Sequence, residues 1–346
     1  MRRFWLQFQH LASNLLAAGL ILCALVGSAA SAGEKPGIVA PPLREVPKDR
    51  AIELRVLYLE DPRLPMLNAA QRKELLGKVE QLLQRWYGYR ASLREVGHLN
   101  LAEYFTTHAG VFRKHPEIVK MALNPDRAID RGRLRAVIKK ALAPHPLAII
   151  EGQLHAGKLE SHEQAATLAY DVFLQRLREL RSIPLPDGST LADPMRPELN
   201  SYMHWCALTH EMTEADLVFT NSMIVGADME MGLTIISRGG VTAGNANANP
   251  HNAFQSAVVV TMFPFLSDAP FWLRERGPIP EAERLDVIAT LTMHELGHML
   301  LRTDHPVGHP SSCVYAPAVR LRYYDWHVDI RKNGLCPLPH RKLTSY

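Results

Sequence analysis

The sequence predicts an α+β fold in which a twisted, mixed sheet packs on one long helix. Residues 51–59 alternate apolar with other side chains as a strand does, and apolar runs at 216–225 and 257–265 predict later strands. Residues 68–87 and 281–302 have the apolar spacing of helices. Between the early and the late strands, at about 99–205, the pattern is helical and predicts an insertion.

The first 32 residues have the layout of an export signal. Met1-Arg2-Arg3 is basic, residues 15–26 are almost all apolar, and Ala30-Ser31-Ala32 offers the small side chains that a signal peptidase accepts. The apolar stretch is too short to cross a bilayer comfortably. We therefore expect cleavage of residues 1–32 and release of an exported protein, periplasmic or secreted, with a retained anchor as the alternative.

Composition argues against two classes of partner. Removal of the signal takes away two arginines and no acidic residue, so the formal net charge falls from +4 to +2 and gives no electrostatic case for nucleic acid. No later stretch is apolar enough for a membrane span. Residues 33–49 contain four prolines and predict an irregular leader. The remaining residues, 50–346, are enough for one large domain or two small ones, and a composition that is 47% hydrophobic can form a core.

The domain is predicted to begin with the strand, the helix at 68–87 and a second strand at 91–96. Helices follow in the insertion at 131–142 and 161–180, and the basic run in the first of them is interpreted as a solvated face. The later strands flank a glycine-rich segment, 239–244. Residues 245–252 alternate asparagine with small residues and predict a polar loop.

The long helix carries His294-Glu295-Leu296-Gly297-His298. Because the histidines are four residues apart, their imidazoles project from one helix face and can converge on one cation. Glu295 is adjacent, and its carboxylate can reach a water at that cation without ligating it. The spacing predicts a Zn²⁺ site with His294 and His298 as ligands and Glu295 as general base.

A catalytic zinc usually has three protein ligands and one open position. No glutamate follows Glu295, which excludes a glutamate from a later helix. The candidates that the residues alone leave open are Asp304, His305, His309, Asp325 and His327.

Residues 294–305 resemble the extended zinc motif of the metzincin peptidases, H-E-x-x-H-x-x-G-x-x-H/D, and are most similar to the snapalysin and archaemetzincin types. The resemblance implies a metzincin-like catalytic domain at 50–346, with Asp304 as third ligand, His305 directly after it and a C-terminal helix near 323–331. The order of elements is similar over most of the domain, whereas only about a dozen residues around the metal are specific.

The chain departs from the family pattern at two places. Leu301 stands where the family has glycine, and a helix that runs further would present His305 instead of Asp304. No methionine follows Met299, so a methionine turn is absent and Tyr315 is expected in the space beneath the zinc.

Three cysteines remain after removal of the signal. Cys313 and Cys336 both lie in the tail after the metal helix and are the preferred bridge in an oxidising compartment. Cys206 is then a buried thiol, or it pairs with one of the others.

These features lead to the hypothesis of a zinc metallopeptidase that hydrolyses protein or peptide substrates with zinc-activated water. An extended substrate is expected along the sheet edge by strand addition. The alternatives are a non-catalytic zinc-binding or interaction protein on the same scaffold and a cell-envelope amidase. The oligomeric state cannot be predicted.

Overall fold

The computed structural model describes residues 51–192, 196–229, 231–247, 257–301, 313–316, 318 and 320–334. A five-stranded sheet forms its centre in the order β2-β1-β3-β7-β6, where β1 is Ile52–Glu60, β2 is Ala91–Asn100, β3 is Leu217–Thr220, β6 is Gly244–Asn247 and β7 is Ala257–Thr261. Strand β6 runs antiparallel to β7, while the other neighbours are parallel. A separate antiparallel pair joins β4 (Ile224–Val225) to β5 (Val241–Thr242). The sheet is mixed, and the predicted α+β class is confirmed.

Helices surround this sheet and fill the chain between β2 and β3. In chain order they are α1 (Ala69–Leu82), α2 (Leu101–Thr107), α3 (Ala109–Lys114), α4 (Pro116–Met121), α5 (Ala128–Leu142), α6 (Leu147–Leu154), α7 (His162–Arg181), α8 (Tyr202–Glu211), α9 (Leu233–Ser237), α10 (Phe263–Leu266), α11 (Pro270–Arg276), α12 (Arg284–Leu300) and α13 (Tyr323–Asn333). A π-helical turn, Leu83–Tyr87, continues α1. Short 3-10 turns occur at Pro197–Asn200 and Glu281–Glu283.

The side chains of β1 alternate between two cores. Val56 and Tyr58 face the core that α1 and α12 share, whereas Leu57 and Leu59 face the core of α2 and α8. Strands that are covered on both faces become apolar along their whole length. This explains why the sequences of β3 and β7 are almost continuously apolar. Helix α12 packs against one face of the sheet.

The helical stretch at about 99–205 contributes to a core of its own. Leu134 and Ile138 from α5 pack with Ile150 from α6, Phe173 from α7 and Ile236 from α9. The basic side chains predicted to be solvated are exposed: Arg131, Arg133, Arg135, Lys139 and Lys140. Whether this stretch is an insertion into a metzincin-like domain stays a prediction.

Three predicted boundaries are wrong. The strand expected at 216–225 is divided into β3 and β4, because buried Asn221 accepts a hydrogen bond from the Asp61 amide (2.7 Å) and donates to its carbonyl (2.9 Å), which ends β3. The strand expected at 257–265 ends at Thr261, since Pro264 lacks the N–H that a strand needs and lies in the first turn of α10.

The third error concerns the asparagine-rich segment. Residues 245–247 were predicted to belong to a polar loop, yet they lie in β6, where backbone hydrogen bonds to β7 outweigh the low strand propensity of asparagine and glycine. Residues 248–252 lie outside the described residues, as do the predicted signal and leader at 1–49. Of the helices in the described part of the chain, none combines the length and the apolar character that a membrane crossing requires.

Candidate metal centre and active site

Helix α12 brings the predicted motif into the interior of the protein. Its residues are buried from Val287 to Leu300 because the helix lies between α1, α13 and the strands β6 and β7. A helix with apolar side chains on all sides is stable only when it is enclosed in this way. The polar groups of His294, Glu295 and His298 are therefore held within an apolar shell.

The two histidines converge as the spacing predicts. His294 Nε2 and His298 Nε2 are 3.2 Å apart, and the two rings are nearly perpendicular. Two nitrogens that bind one tetrahedral zinc at about 2.0–2.1 Å are separated by roughly 3.3 Å. The pair thus has the spacing of two ligands of a single ion, and imidazole nitrogen is a donor that Zn²⁺ prefers.

The orientation of His294 is fixed by the segment that follows α12. Its Nδ1 lies 2.5 Å from the carbonyl oxygen of Val314. Because a carbonyl can only accept, Nδ1 carries the hydrogen and the lone pair is on Nε2, the arrangement that metal-binding histidines need. Burial, with the charges of His298 and Arg238, lowers the pKa of His294 to about 3, so the ring is neutral at physiological pH.

Glu295 is enclosed by α12 on one side and by the edge strand on the other. Only 6% of the residue is exposed, and this burial raises the pKa of its carboxyl to about 8, although the charge of Arg238 acts in the opposite direction. Gly244, the first residue of β6, lies directly against it. A Cβ atom at Gly244 would be 2.5 Å from both Cγ and Cδ of Glu295, so only glycine leaves room for the carboxylate.

Two tyrosines support the helix at Gly297, between the histidines. The Tyr87 hydroxyl donates to the carbonyl of Met293 (2.6 Å), and its ring stacks on that of Tyr315 at 6.4 Å. A Cβ at Gly297 would lie 2.7 Å from the Tyr87 hydroxyl and 3.0 Å from Tyr315 Cε1. Tyr315 is buried against α12, and its place beneath a zinc stays a prediction.

The third ligand cannot be assigned from the described residues. Asp304, His305 and His309 lie outside them. Within the described part of the chain no three His, Cys, Asp or Glu side chains form a group that could hold a metal. Asp325 is exposed and pairs with Arg322, and the Nδ1 of His327 lies 2.7 Å from the Thr290 hydroxyl, one turn before His294.

Leu301 occupies its position without strain. It caps α12 with φ −105° and ψ −4°, and its amide donates to the carbonyl of Gly297 at 3.0 Å. A glycine is therefore not required there, because the left-handed conformation is not used. Whether Asp304 or His305 follows as ligand stays a prediction.

The bonding states of the two cysteines that the structure describes, Cys206 and Cys313, agree with the predicted pairing. Cys313 is disulfide-bonded, and Cys206 is a buried thiol that accepts a hydrogen bond from Asn245 Nδ2 (3.5 Å). The partner of Cys313 lies outside the described residues, as does Cys336. Cys313 directly precedes Val314, whose carbonyl oxygen lies against His294 Nδ1.

Sequence reasoning missed several groups around the site. Tyr87 and Val314 were not singled out, because each reaches α12 through a tertiary contact that leaves no local pattern, and the same is true of Arg238 and Tyr323, which contact each other. The glycine-rich segment was noted, and its density of glycine is the one signal that could have indicated the close approach of Gly244 to α12.

Comparisons with protein-family models, with curated proteins and with solved structures find no match to this chain. Two converging imidazoles and an adjacent enclosed carboxylate form a donor set that suits Zn²⁺ and can move a proton beside it.

Proposed function

We propose that this protein is an exported, metzincin-like zinc peptidase with its active site on α12. The observation that carries the proposal is the pair of imidazole nitrogens 3.2 Å apart on one buried helix face, with Glu295 next to them and the edge strand β6 against its carboxylate. An ion pair or a packing role would not need two imidazole nitrogens aimed at one point.

The residues have distinct roles in this proposal. His294 and His298, with Asp304 or His305, would hold the zinc, which when bound polarises a carbonyl group and acidifies a water molecule. Glu295 takes up a proton at its carboxylate and delivers it to the leaving amine. Its pKa of about 8 in the metal-free protein lies close to working pH, which suits a group that must both accept and donate a proton.

The edge strand favours a peptide as substrate. In the described part of the chain β6 pairs with β7 alone, and the proposal is that an extended peptide adds to its other edge through backbone hydrogen bonds. Asn245 and Ala246 are only 2% and 1% exposed, so this edge must be uncovered before a peptide adds. Because Gly244 contacts Glu295, a peptide added to this strand would run past the carboxylate. Export is part of the proposal and rests on the signal-like residues 1–32.

The proposal is tested by metal analysis and hydrolysis on the same protein preparations. We expect about one zinc per chain in the wild type and in Glu295→Gln, and loss of the zinc in His294→Ala. Hydrolysis of unfolded casein or a fluorogenic peptide library should fall at least about 100-fold in Glu295→Gln. His162→Ala is the matched control, because His162 is exposed on α7, and it should change neither quantity.

The outcomes separate the rival functions. If the protein binds zinc but hydrolyses no peptide, it is a non-catalytic metal-binding protein. If it cleaves peptidoglycan fragments but not casein, it is a cell-envelope amidase. Full activity in Glu295→Gln, or the absence of zinc from the wild type, would refute the proposal.

A further inference from the structure

Arg238 is a buried cation beside the candidate active site. It follows α9 directly, and its exposed fraction of 6% equals that of Glu295. Within the described residues its guanidinium forms no ion pair, whereas a buried charge is normally paired because its desolvation is costly. The position of an unneutralised cation here therefore needs an explanation.

The contacts of Arg238 fix its position but use little of its hydrogen-bonding capacity. Nη2 donates to the carbonyl of Ala318, and the guanidinium lies 5.4 Å from the centre of the Tyr323 ring. A guanidinium has five N–H donors. Nε is buried without an acceptor, and so is the hydroxyl of Tyr323 next to it. Two neighbouring buried donors are thus left unused in the described part of the protein.

The same segments connect Arg238 to the catalytic groups. Its charge lowers the pKa of both Glu295 and His294, so it lies within electrostatic reach of each. Residues Ala318 and Tyr323, which hold it, belong to the stretch that begins with the Val314 carbonyl on His294. On the other side, the chain continues from Arg238 through β5 to Gly244, which contacts Glu295.

We propose that Arg238 binds a carboxylate of the substrate, and that the enzyme prefers peptides which carry one close to the scissile bond. Arginine is the side chain best suited to this role, because its planar fork pairs with a carboxylate through two parallel hydrogen bonds. The carboxylate comes from an acidic side chain or from the C-terminus of the peptide. The inference rests on the proposed function, since it names the substrate class of the same site.

The test compares matched peptides on zinc-loaded Glu295→Gln protein, where binding is measured without turnover. Three N-acetylated peptides of one sequence are used: a neutral C-terminal amide, the same peptide with a free C-terminal carboxylate, and the amide with one residue replaced by aspartate. A charge-assisted hydrogen bond contributes enough for about tenfold or more in affinity. We expect one of the two acidic peptides to bind about tenfold or more tightly than the neutral amide. The acidic peptide that binds more tightly identifies the source of the carboxylate.

Variants of Arg238 then show whether the preference depends on this side chain. Arg238→Met, made in the Glu295→Gln protein, should bind all three peptides alike, and Arg238→Lys should retain only part of the preference because it keeps the charge without the fork. In the otherwise wild-type enzyme, Arg238→Met should lower kcat/KM for the acidic peptide more than for the neutral amide, so that the ratio of the two values falls about tenfold.

Two results would overturn the inference. One is equal affinity of the Glu295→Gln protein for the acidic and neutral peptides, a measurement that needs no Arg238 variant to fold. The other is an equal loss for all peptides in Arg238→Lys, which would indicate that Arg238 only holds Ala318 and Tyr323 in place. If the wild type hydrolyses nothing while an Arg238-dependent preference in binding persists, the proposed function fails and the carboxylate site stands.

Discussion

Replacement of Gly244 by alanine tests the contact between the edge strand and the candidate general base. The added Cβ would lie 2.5 Å from Cγ and Cδ of Glu295, whereas carbon atoms in contact are ordinarily about 3.5–4.0 Å apart. One of the two groups must therefore move by about 1 Å. Neither moves easily, because Gly244 is paired with Val260 of β7 and Glu295 is buried on α12.

Two magnitudes follow from this displacement. Overpacking of a close-packed interior costs about 1–3 kcal/mol, so Gly244→Ala should unfold at a lower urea concentration than the wild type. A shift of about 1 Å in a catalytic group lowers the rate about 100-fold. The zinc content should be unchanged, because no atom of His294 or His298 is among the nearest neighbours of the added methyl group.

A double-mutant cycle isolates the contact from every other effect of the methyl group. Glu295→Ala removes Cγ, Cδ and Oε1, the three nearest atoms that the Cβ would meet. Gly244→Ala should therefore cost about 1–3 kcal/mol of unfolding free energy in the wild type and less than about 0.5 kcal/mol in Glu295→Ala, measured by urea denaturation. This readout does not depend on any enzymatic activity.

The reasoning is refuted if the two backgrounds give the same cost. Gly77→Ala is the matched control, because Gly77 lies in α1 with no atom within 4 Å of a Cβ. It should stabilise the protein by up to about 1 kcal/mol and leave kcat/KM unchanged. A loss of stability in the control would show that the method does not report local crowding.

Three further predictions concern the same helix. Because burial raises the pKa of Glu295 to about 8 from an ordinary 4.5, the metal-free folded protein binds this proton more tightly than the unfolded chain, so its contribution to the unfolding free energy falls as pH rises from 4.5 to 8. Urea titrations across that window should show that Glu295→Gln removes this part of the slope, and parallel wild-type and variant curves would contradict it. Tyr87→Phe removes the hydrogen bond to Met293 and should cost about 1 kcal/mol in the same assay, while an unchanged midpoint would exclude a contribution from that bond. Removal of zinc with a chelator should lower the Tm, and added Zn²⁺ should restore it in the wild type but not in His298→Ala, since an ion that binds only the folded state stabilises it; a Tm that is indifferent to chelation would argue against a bound ion.

The elements that carry the candidate site could be predicted where side chains repeat with a period. The spacing of His294 and His298 is a property of one helix, so it fixed their common face before any tertiary information was used. The same holds for α1, whose capping box between Asn68 and Gln71 marks its start. Local patterns of this kind survive into the folded structure because they depend only on nearby residues.

The groups around the helix could not be predicted in the same way. Gly244 and Arg238 are separated from Glu295 by about 50 residues, and only the pairing of β6 with β7 brings Gly244 to the carboxylate. Asparagine and glycine have low intrinsic strand propensity, so the sequence predicts a loop at residues 245–247, although their backbone forms the edge strand of the sheet. The residues proposed as third ligand, Asp304 and His305, follow the end of α12, where helical periodicity no longer applies, and the residues alone left five candidates open.

Glycine in this site is required by close packing and not by backbone turns. At Leu301, where the metzincin motif has glycine, the chain uses an ordinary right-handed conformation that leucine adopts without cost. At Gly244 and Gly297 the backbone is also outside the left-handed region, yet a single methyl group would collide with Glu295 or with Tyr87. The departure at Leu301 is therefore compatible with the proposed metal site. Two of the glycines that leave no room for a Cβ, Gly244 and Gly297, lie against the candidate general base and against the tyrosines that contact the helix between the two histidines.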